Sequence, residues 1–162
     1  MVLATAFDGG AMREPFTQLY VHLVWSTWDR LPLLTPEVIE IVSDAVGREC
    51  LDLGADVIAF GAVIDHMHLL VRIPPKLSVS ALVKQVKGST SHLLSQRMGI
   101  PFKWQGGYGA FTVSKGMVQR VRNYVLNQEA HHAYGTVVSA AEPPPPGAAT
   151  DPGFARGSRA HS

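Results

Sequence analysis

Val63-Ile64-Asp65-His66-Met67-His68-Leu69-Leu70-Val71 is the stretch from which the rest of the chain can be read. Its density of Val, Ile and Leu marks a buried β-strand, or two strands meeting near Asp65. Strand side chains alternate faces, so His66 and His68 point the same way while Met67 points oppositely, into the core. Asp65, by the same alternation, points away from the histidines. Two neutral imidazoles side by side can grip one divalent cation, whereas either alone would be an ordinary half-buried histidine.

Outward from this stretch the elements fall in a regular order. Upstream, Gln18 to Thr27 (QLYVHLVWST) reads as a buried strand, broken by Asp29-Arg30-Leu31-Pro32. Thr35-Pro36-Glu37 supplies an N-cap, a proline at the first helical position and an early acid. The helix it opens runs to about Leu53 and is stopped by Gly54. A strand follows from Asp56 to Ile64, then another from His66 to Ile73, either as a hairpin around Asp65 or as one bent strand. Pro74-Pro75 ends the run. Ser78 caps a helix from Val79 to Arg97, with Gly88 inside it marking a kink or a close contact. Phe102 to Trp104 and Tyr108 to Val113 form an aromatic strand interrupted by Gly106-Gly107. Ser114 opens a last helix from Lys115 to His131.

The order β-α-β-β-α-β-α predicts an α+β fold: a ferredoxin-like, split β-α-β antiparallel sheet with helices on one face, plus an extra C-terminal helix free to deliver residues to a site. Residues 1–15 read as a flexible leader, 16–134 as the folded domain, and 135–162 as a Pro/Ala-rich disordered tail with four prolines at 143–146.

Composition narrows the function. The chain has 162 residues, 46% of them apolar, which suits one domain with a real core. A net charge of +1 gives no global basic field, so nucleic-acid binding would need a local patch. The single cysteine, Cys50, excludes an intrachain disulfide and gives no support to a thiolate zinc site. No run approaches the roughly 20 apolar residues of a membrane span, and residues 1–16 lack the apolar core of a signal peptide. The expected location is the cytoplasm, associated with the nucleoid.

The last helix carries the second half of the chemistry. Tyr124 and Gln128, four apart, share one helical face, and Asn127 borders it. Two imidazoles and an amide oxygen would make an open, mostly neutral site for a hard cation such as Mg²⁺ or Mn²⁺, completed by substrate and water. A phenol beside such a site has a use: its oxygen can attack a phosphodiester and hold it as a phosphotyrosine, keeping the bond energy for rejoining. The bland alternative is a packed tyrosine with a capping amide.

The local patch exists. From Lys76 through Asn127 there is no acid, and the segment contains Lys76, Lys84, Lys87, Arg97, Lys103, Lys115, Arg120 and Arg122. Lys84, Lys87 and Ser91 follow one helical face, and Arg120 and Arg122 stand on the last helix. These residues are the expected DNA contacts. Trp104 and Tyr108 are candidates for stacking on unpaired bases, and Phe111 reads better as a core aromatic.

With these motifs in order, the chain resembles the single-tyrosine HUH transposases of the IS200/IS605 type. The blocks that carry the likeness are His-Leu-Val-Trp-Ser-Thr at 22–27, Asp65-His66-Met67-His68-Leu69-Leu70-Val71, Pro74 to Ser80 with Leu82-Val83-Lys84 and Lys87-Gly88-Ser89, Trp104-Gln105-Gly106-Gly107-Tyr108, and Tyr124-Val125-Leu126-Asn127-Gln128-Glu129 with His131-His132. Together they span about two-thirds of the chain. The resemblance implies a homodimer in which Tyr124 can act in the partner's site. It implies His66, His68 and Gln128 as metal ligands, Tyr124 as nucleophile and Asn127 in support. The implied substrate is single-stranded DNA at hairpin-flanked element ends, cleaved to a 5′-phosphotyrosine and a free 3′-OH. The tail departs from the family pattern, which normally continues into a further charged segment. An alternative expectation is therefore a domesticated or non-catalytic binder of hairpin or single-stranded DNA, including a role like that of repeat-associated tyrosine transposases. A two-histidine phosphoesterase fits poorly, because no second His-x-Ser/Thr strand motif is present.

Overall fold

In the computed structural model, residues 16–128 are described. The leader, the 135–162 tail and the expected helix end at His131 lie outside them, but the last helix already closes at Leu126 with Asn127 as its non-helical C-cap, so it does not run unbroken to His131 as the sequence suggests. Four strands form one antiparallel sheet: β1 (Tyr20–Ser26), β2 (Asp56–Val63), β3 (His66–Arg72) and β4 (Gly109–Val113), in the order β2-β3-β1-β4. Helices α1 (Pro36–Asp52) and α2 (Val79–Met98) make the two crossovers, and α3 (Val118–Leu126) follows β4. This is the split β-α-β arrangement with an added C-terminal helix.

The local rules hold at the helix starts. Thr35 accepts a hydrogen bond from the Val38 amide, with Pro36 at the first helical position, and Ser78 Oγ accepts from the Ala81 amide at 3.2 Å. Gly54 and Gly99 close α1 and α2 at φ +72° and +67°, the left-handed conformation that glycine adopts without cost. β2 and β3 are a hairpin, and Asp65 lies in its turn. The last helix begins later than the sequence suggests. Lys115–Met117 is a 3₁₀ turn in which Ser114 makes no side-chain cap, and regular α-helix starts at Val118. The Phe102–Trp104 segment is not part of β4; only Trp104 pairs, as an isolated bridge with Thr27. Gly88 marks no close contact, since an added Cβ there would meet nothing within 4 Å and α2 runs continuously past it.

Strand alternation sorts the sheet into two faces. Val21, Leu23, Trp25, Met67, Leu69 and Val71 join buried residues of α1 and α2 in the main apolar core. The opposite face carries a smaller cluster in which Ala59, Leu70 and Val113 pack against Val121 and Val125 of α3. The histidines belong to this second face. No helix among the described residues is long and apolar enough to cross a membrane.

Candidate active site

His66 and His68 are buried, at 4% and 0% exposure, and their rings lie 5.2 Å apart, as period-two spacing requires. Met67 between them is buried in the core on the opposite face. Each imidazole has its Nδ1 committed. His66 Nδ1 lies 2.6 Å from Asp65 Oδ1, and His68 Nδ1 lies 3.0 Å from His22 Nε2. Nε2 is thus the atom each ring would offer to a cation. The Asp65 contact corrects the expectation that this carboxylate points away: Asp65 sits in the turn, where strand alternation does not apply. Burial pushes the Asp65 carboxyl up, but hydrogen bonds from His66 and Arg30 outweigh it and hold the group below the usual carboxylate range.

Helix α3 brings its residues to the same face. The Tyr124 ring stands edge-on to His68 at 5.7 Å and to His22 at 6.1 Å, both at 88°. Gln128, beyond the C-cap Asn127 that ends α3, is buried at 2%, and its Nε2 donates to the Tyr124 carbonyl at 3.2 Å. Asn127 is exposed and its side-chain amide turns back to the Asn123 carbonyl at 2.8 Å.

Two residues to which the sequence reading gives no role make this approach possible. Gly61 pairs with His68 across β2 and β3. A Cβ there would lie 2.0 Å from the Val125 carbonyl oxygen and 3.4 Å from Gln128 Cγ, so only glycine lets the α3 backbone touch the sheet. The same contact lays the Gln128 stem over the strand beside His68. His22, on β1, stacks on His68 with centroids 5.2 Å apart and planes at 13°. A polar residue inside the apolar QLYVHLVWST strand was the available signal for His22. Gly61 carries none until the helix above it is known.

The expected DNA residues divide between the two faces. Arg120, exposed, and Arg122, half-buried, are on α3. Lys84, Lys87, Ser91 and Trp104 line a hollow of about 420 Å³ on the α2 side, with Gly88, Lys103 and Tyr108. Lys84 is exposed, but Lys87 Nζ is engaged internally, donating to the Gln105 and Gly107 carbonyls at 2.6 and 2.7 Å; burial lowers its pKa. Ser91 Oγ donates back to the Lys87 carbonyl at 2.6 Å. Trp104 is 4% exposed and its Nε1 donates to Thr90 Oγ1, so it is a core residue rather than a stacking platform. Tyr108, 41% exposed, is the accessible aromatic of the hollow.

Comparison with known proteins places this geometry. The family model described as "Transposase IS200 like" matches residues 15–128. This chain belongs to the IS200-like transposase family, within the single-tyrosine HUH group. The ISDra2 transposase TnpA of Deinococcus radiodurans is 26% identical over 118 residues, covering 68% of this chain and 84% of that protein. The transposase for insertion sequence element IS200 of Salmonella typhimurium is 27% identical over 132 residues, covering 77% and 86%. A crystal structure from D. radiodurans R1, of a protein assigned as a transposase, superposes with TM-score 0.56 at 26% identity, over 72% of this chain and 95% of that one. The structure of a REP-associated tyrosine transposase bound to a REP hairpin has the same fold, with TM-score 0.57 at 15% identity over 75% and 73%. In this IS200-like chain His66, His68, Tyr124 and Gln128 lie together on one face of the sheet. Among its described residues no three His, Cys, Asp or Glu side chains converge to hold a metal.

Proposed function

We propose that this family member cleaves and rejoins single-stranded DNA at hairpin-flanked element ends, using Tyr124 as the nucleophile and a divalent cation, Mg²⁺ or Mn²⁺, held by His66, His68 and Gln128. The observation that carries the reading is the edge-on seat of Tyr124 against His68 within one chain, with Gln128, just past the end of α3, buried over the strand beside it. The donor set fits such an ion: two imidazoles whose Nδ1 atoms are bonded elsewhere and one buried amide, leaving positions for phosphate oxygens. Bound there, the cation would supply Lewis-acid polarisation of the scissile phosphate.

Tyr124 does the rest. The phenol gives up its proton as Oη attacks phosphorus. The Oη–P bond forms as the P–O3′ bond breaks in line, the 3′ oxygen takes up a proton, and the 5′ phosphate stays on Tyr124. Attack by a 3′-OH reverses the step with no net loss of phosphodiester bonds, so no nucleotide cofactor is needed. Arg120 and Arg122 on α3 and Lys84 at the hollow would bind the strand through its phosphates. Assembly as a homodimer, with Tyr124 acting in the partner's site as an option, belongs to the same proposal.

The decisive experiment incubates the protein with a labelled single-stranded oligonucleotide carrying its own flanking hairpin and Mn²⁺. The expected product is a denaturation-stable protein–DNA adduct, absent for Tyr124→Phe and absent with EDTA. Tight hairpin binding without any adduct would instead assign the chain to the non-catalytic binders.

A further inference from the structure

The two histidines are not held alike. His68 leans on another imidazole, that of His22, whereas His66 is the inner end of a chain that runs through a carboxylate to a guanidinium. Asp65 Oδ1 meets His66 Nδ1 at 2.6 Å and Asp65 Oδ2 accepts from Arg30 Nε at 2.9 Å; Arg30 Nη2, 3.4 Å from the same imidazole nitrogen, is a donor too, so the much shorter carboxylate contact is the one that sets the proton on Nδ1. Side-chain exposure rises outward along it, from 5% at His66 through 22% at Asp65 to 52% at Arg30.

The backbone that delivers Arg30 is strained. Asp29 and Arg30 both adopt left-handed conformations, at φ +53° and +51°, though neither is glycine. Such residues cost of order 1–3 kcal/mol each and persist where surrounding structure over-determines them. Here it does. The amide of Thr27 bonds the Asp65 carbonyl at 2.9 Å, the amide of Trp28 the Lys103 carbonyl at 2.9 Å, and the amide of Leu34 the Ile64 carbonyl at 2.9 Å. Thr27, fully buried, adds its hydroxyl to the Leu31 carbonyl at 2.7 Å. The turn is thus clamped to the β2–β3 hairpin at Ile64 and Asp65, immediately before His66, and to the 102–104 segment at Lys103.

We propose that Asp65 and Arg30 are positioning residues: Asp65 fixes His66 as the Nδ1–H tautomer with Nε2 aimed at the cation, and Arg30 both holds Asp65 and takes a phosphate of the bound strand, so that strand binding and cation binding are linked. The inference rests on the reading of His66 as a metal ligand. A carboxylate accepting from Nδ1–H leaves the lone pair on Nε2 and makes the ring a better donor. Arg30 spends Nε on Asp65 and is half-exposed, so its guanidinium has further N–H donors to offer a phosphate. A phosphate there presses on the residue that orients His66. Thermodynamic reciprocity then requires DNA to tighten the cation as much as the cation tightens DNA.

The test uses the full chain. Mn²⁺ is titrated calorimetrically with and without a hairpin oligonucleotide, and ¹⁵N NMR of the metal-free protein reads the His66 tautomer. Asp65→Asn is expected to weaken Mn²⁺ binding by about 10–100-fold and to convert His66 to a tautomer mixture, with Asp65→Glu restoring part of both. Arg30→Gln is expected to abolish the DNA-induced gain in Mn²⁺ affinity, with Arg30→Lys recovering only a fraction of it, because a single ammonium cannot serve carboxylate and phosphate in the fork geometry. An Asp65→Asn protein with a pure Nδ1–H His66 and unchanged Mn²⁺ affinity would overturn the role of Asp65; an intact linkage in Arg30→Gln would overturn that of Arg30. A wild-type chain that binds no Mn²⁺ removes the metal reading itself, and the NMR tautomer then decides the positioning claim alone.

Discussion

The two faces of this sheet do different work with the same strands. Toward α1 and α2, β1 and β3 present Leu23, Trp25, Met67, Leu69 and Val71 to a large apolar core that also buries Cys50, Leu82, Val86 and Trp104. Toward α3 the same strands present His22, His66, His68 and Leu70, and only a handful of apolar residues hold the helix down. Apolar burial contributes about 25 cal/mol per Å² and is indifferent to direction, so the first face supplies stability. The second face uses its strands to aim imidazoles, held by a hydrogen bond that Asp65 accepts from His66 and by the contact between His22 and His68. On that face Leu70, Ala59 and Val113 still pack under α3, while the positions of His22, His66 and His68 are given over to polar side chains.

If the faces are separable, a substitution beneath α3 should disable the site while leaving the core intact. Gly61→Ala is the sharpest such change. Its methyl would lie 2.0 Å from a backbone oxygen of α3, which no rotamer change can relieve. The cost is expected at or above the top of the ~1–3 kcal/mol range for overpacking, and α3 must lift to avoid it. Tyr124 and Gln128 would lift with it, so covalent adduct formation should disappear. Cys50, fully buried in the other face with its thiol pushed up to about 11 by burial, serves as the reporter. It should stay protected from a thiol reagent in Gly61→Ala under native conditions. Rapid labelling would mean that the two faces unfold as one.

The converse change is Met67→Ala, between the two histidines in sequence but opposite to them in space. Met67 is fully buried, and truncation of such a residue costs about 2–5 kcal/mol. The expected result is a lower denaturation midpoint and faster Cys50 labelling, with adduct formation per folded molecule little changed at low temperature. A variant of normal stability that forms no adduct would show that the core face steers the histidines directly.

The sequence exposed the first face more fully than the second. Period-two alternation in QLYVHLVWST and DHMHLLV, the caps at Thr35 and Ser78, and the stops at Gly54 and Pro74-Pro75 are local signals, and each specifies its own element. His66, His68, Tyr124 and Gln128 could be grouped because strand and helix periods place each pair on one face. Asp65, Arg30 and Gly61 could not. Asp65 escapes the alternation rule because it lies in the turn, Arg30 arrives through a left-handed backbone that its residue type does not favour, and Gly61 matters only because α3 crosses it. Trp104 and Lys87 were legible as aromatic and basic, yet their burial and their bonds to Thr90 and to the 105–107 carbonyls are set by how the loop folds over α2.

The smallest expected effect tests whether the α2 side takes part in DNA binding at all. Lys84 and Lys87 look equivalent in sequence, but Lys87 Nζ is engaged by loop carbonyls while Lys84 is exposed at the hollow. A lysine that neutralises one phosphate contributes about one unit to the slope of log affinity against log salt. Lys84→Ala should therefore flatten that slope by about one, weaken hairpin binding modestly and leave the melting temperature unchanged. Lys87→Met, which keeps the stem but loses the donors, should behave oppositely. It should lower the melting temperature by releasing the 105–107 loop, and its salt slope should match that of the wild type. If both variants flatten the slope equally, the loop opens on binding and frees Lys87 for the strand; if neither does, the phosphates run only along Arg120 and Arg122 on the α3 face.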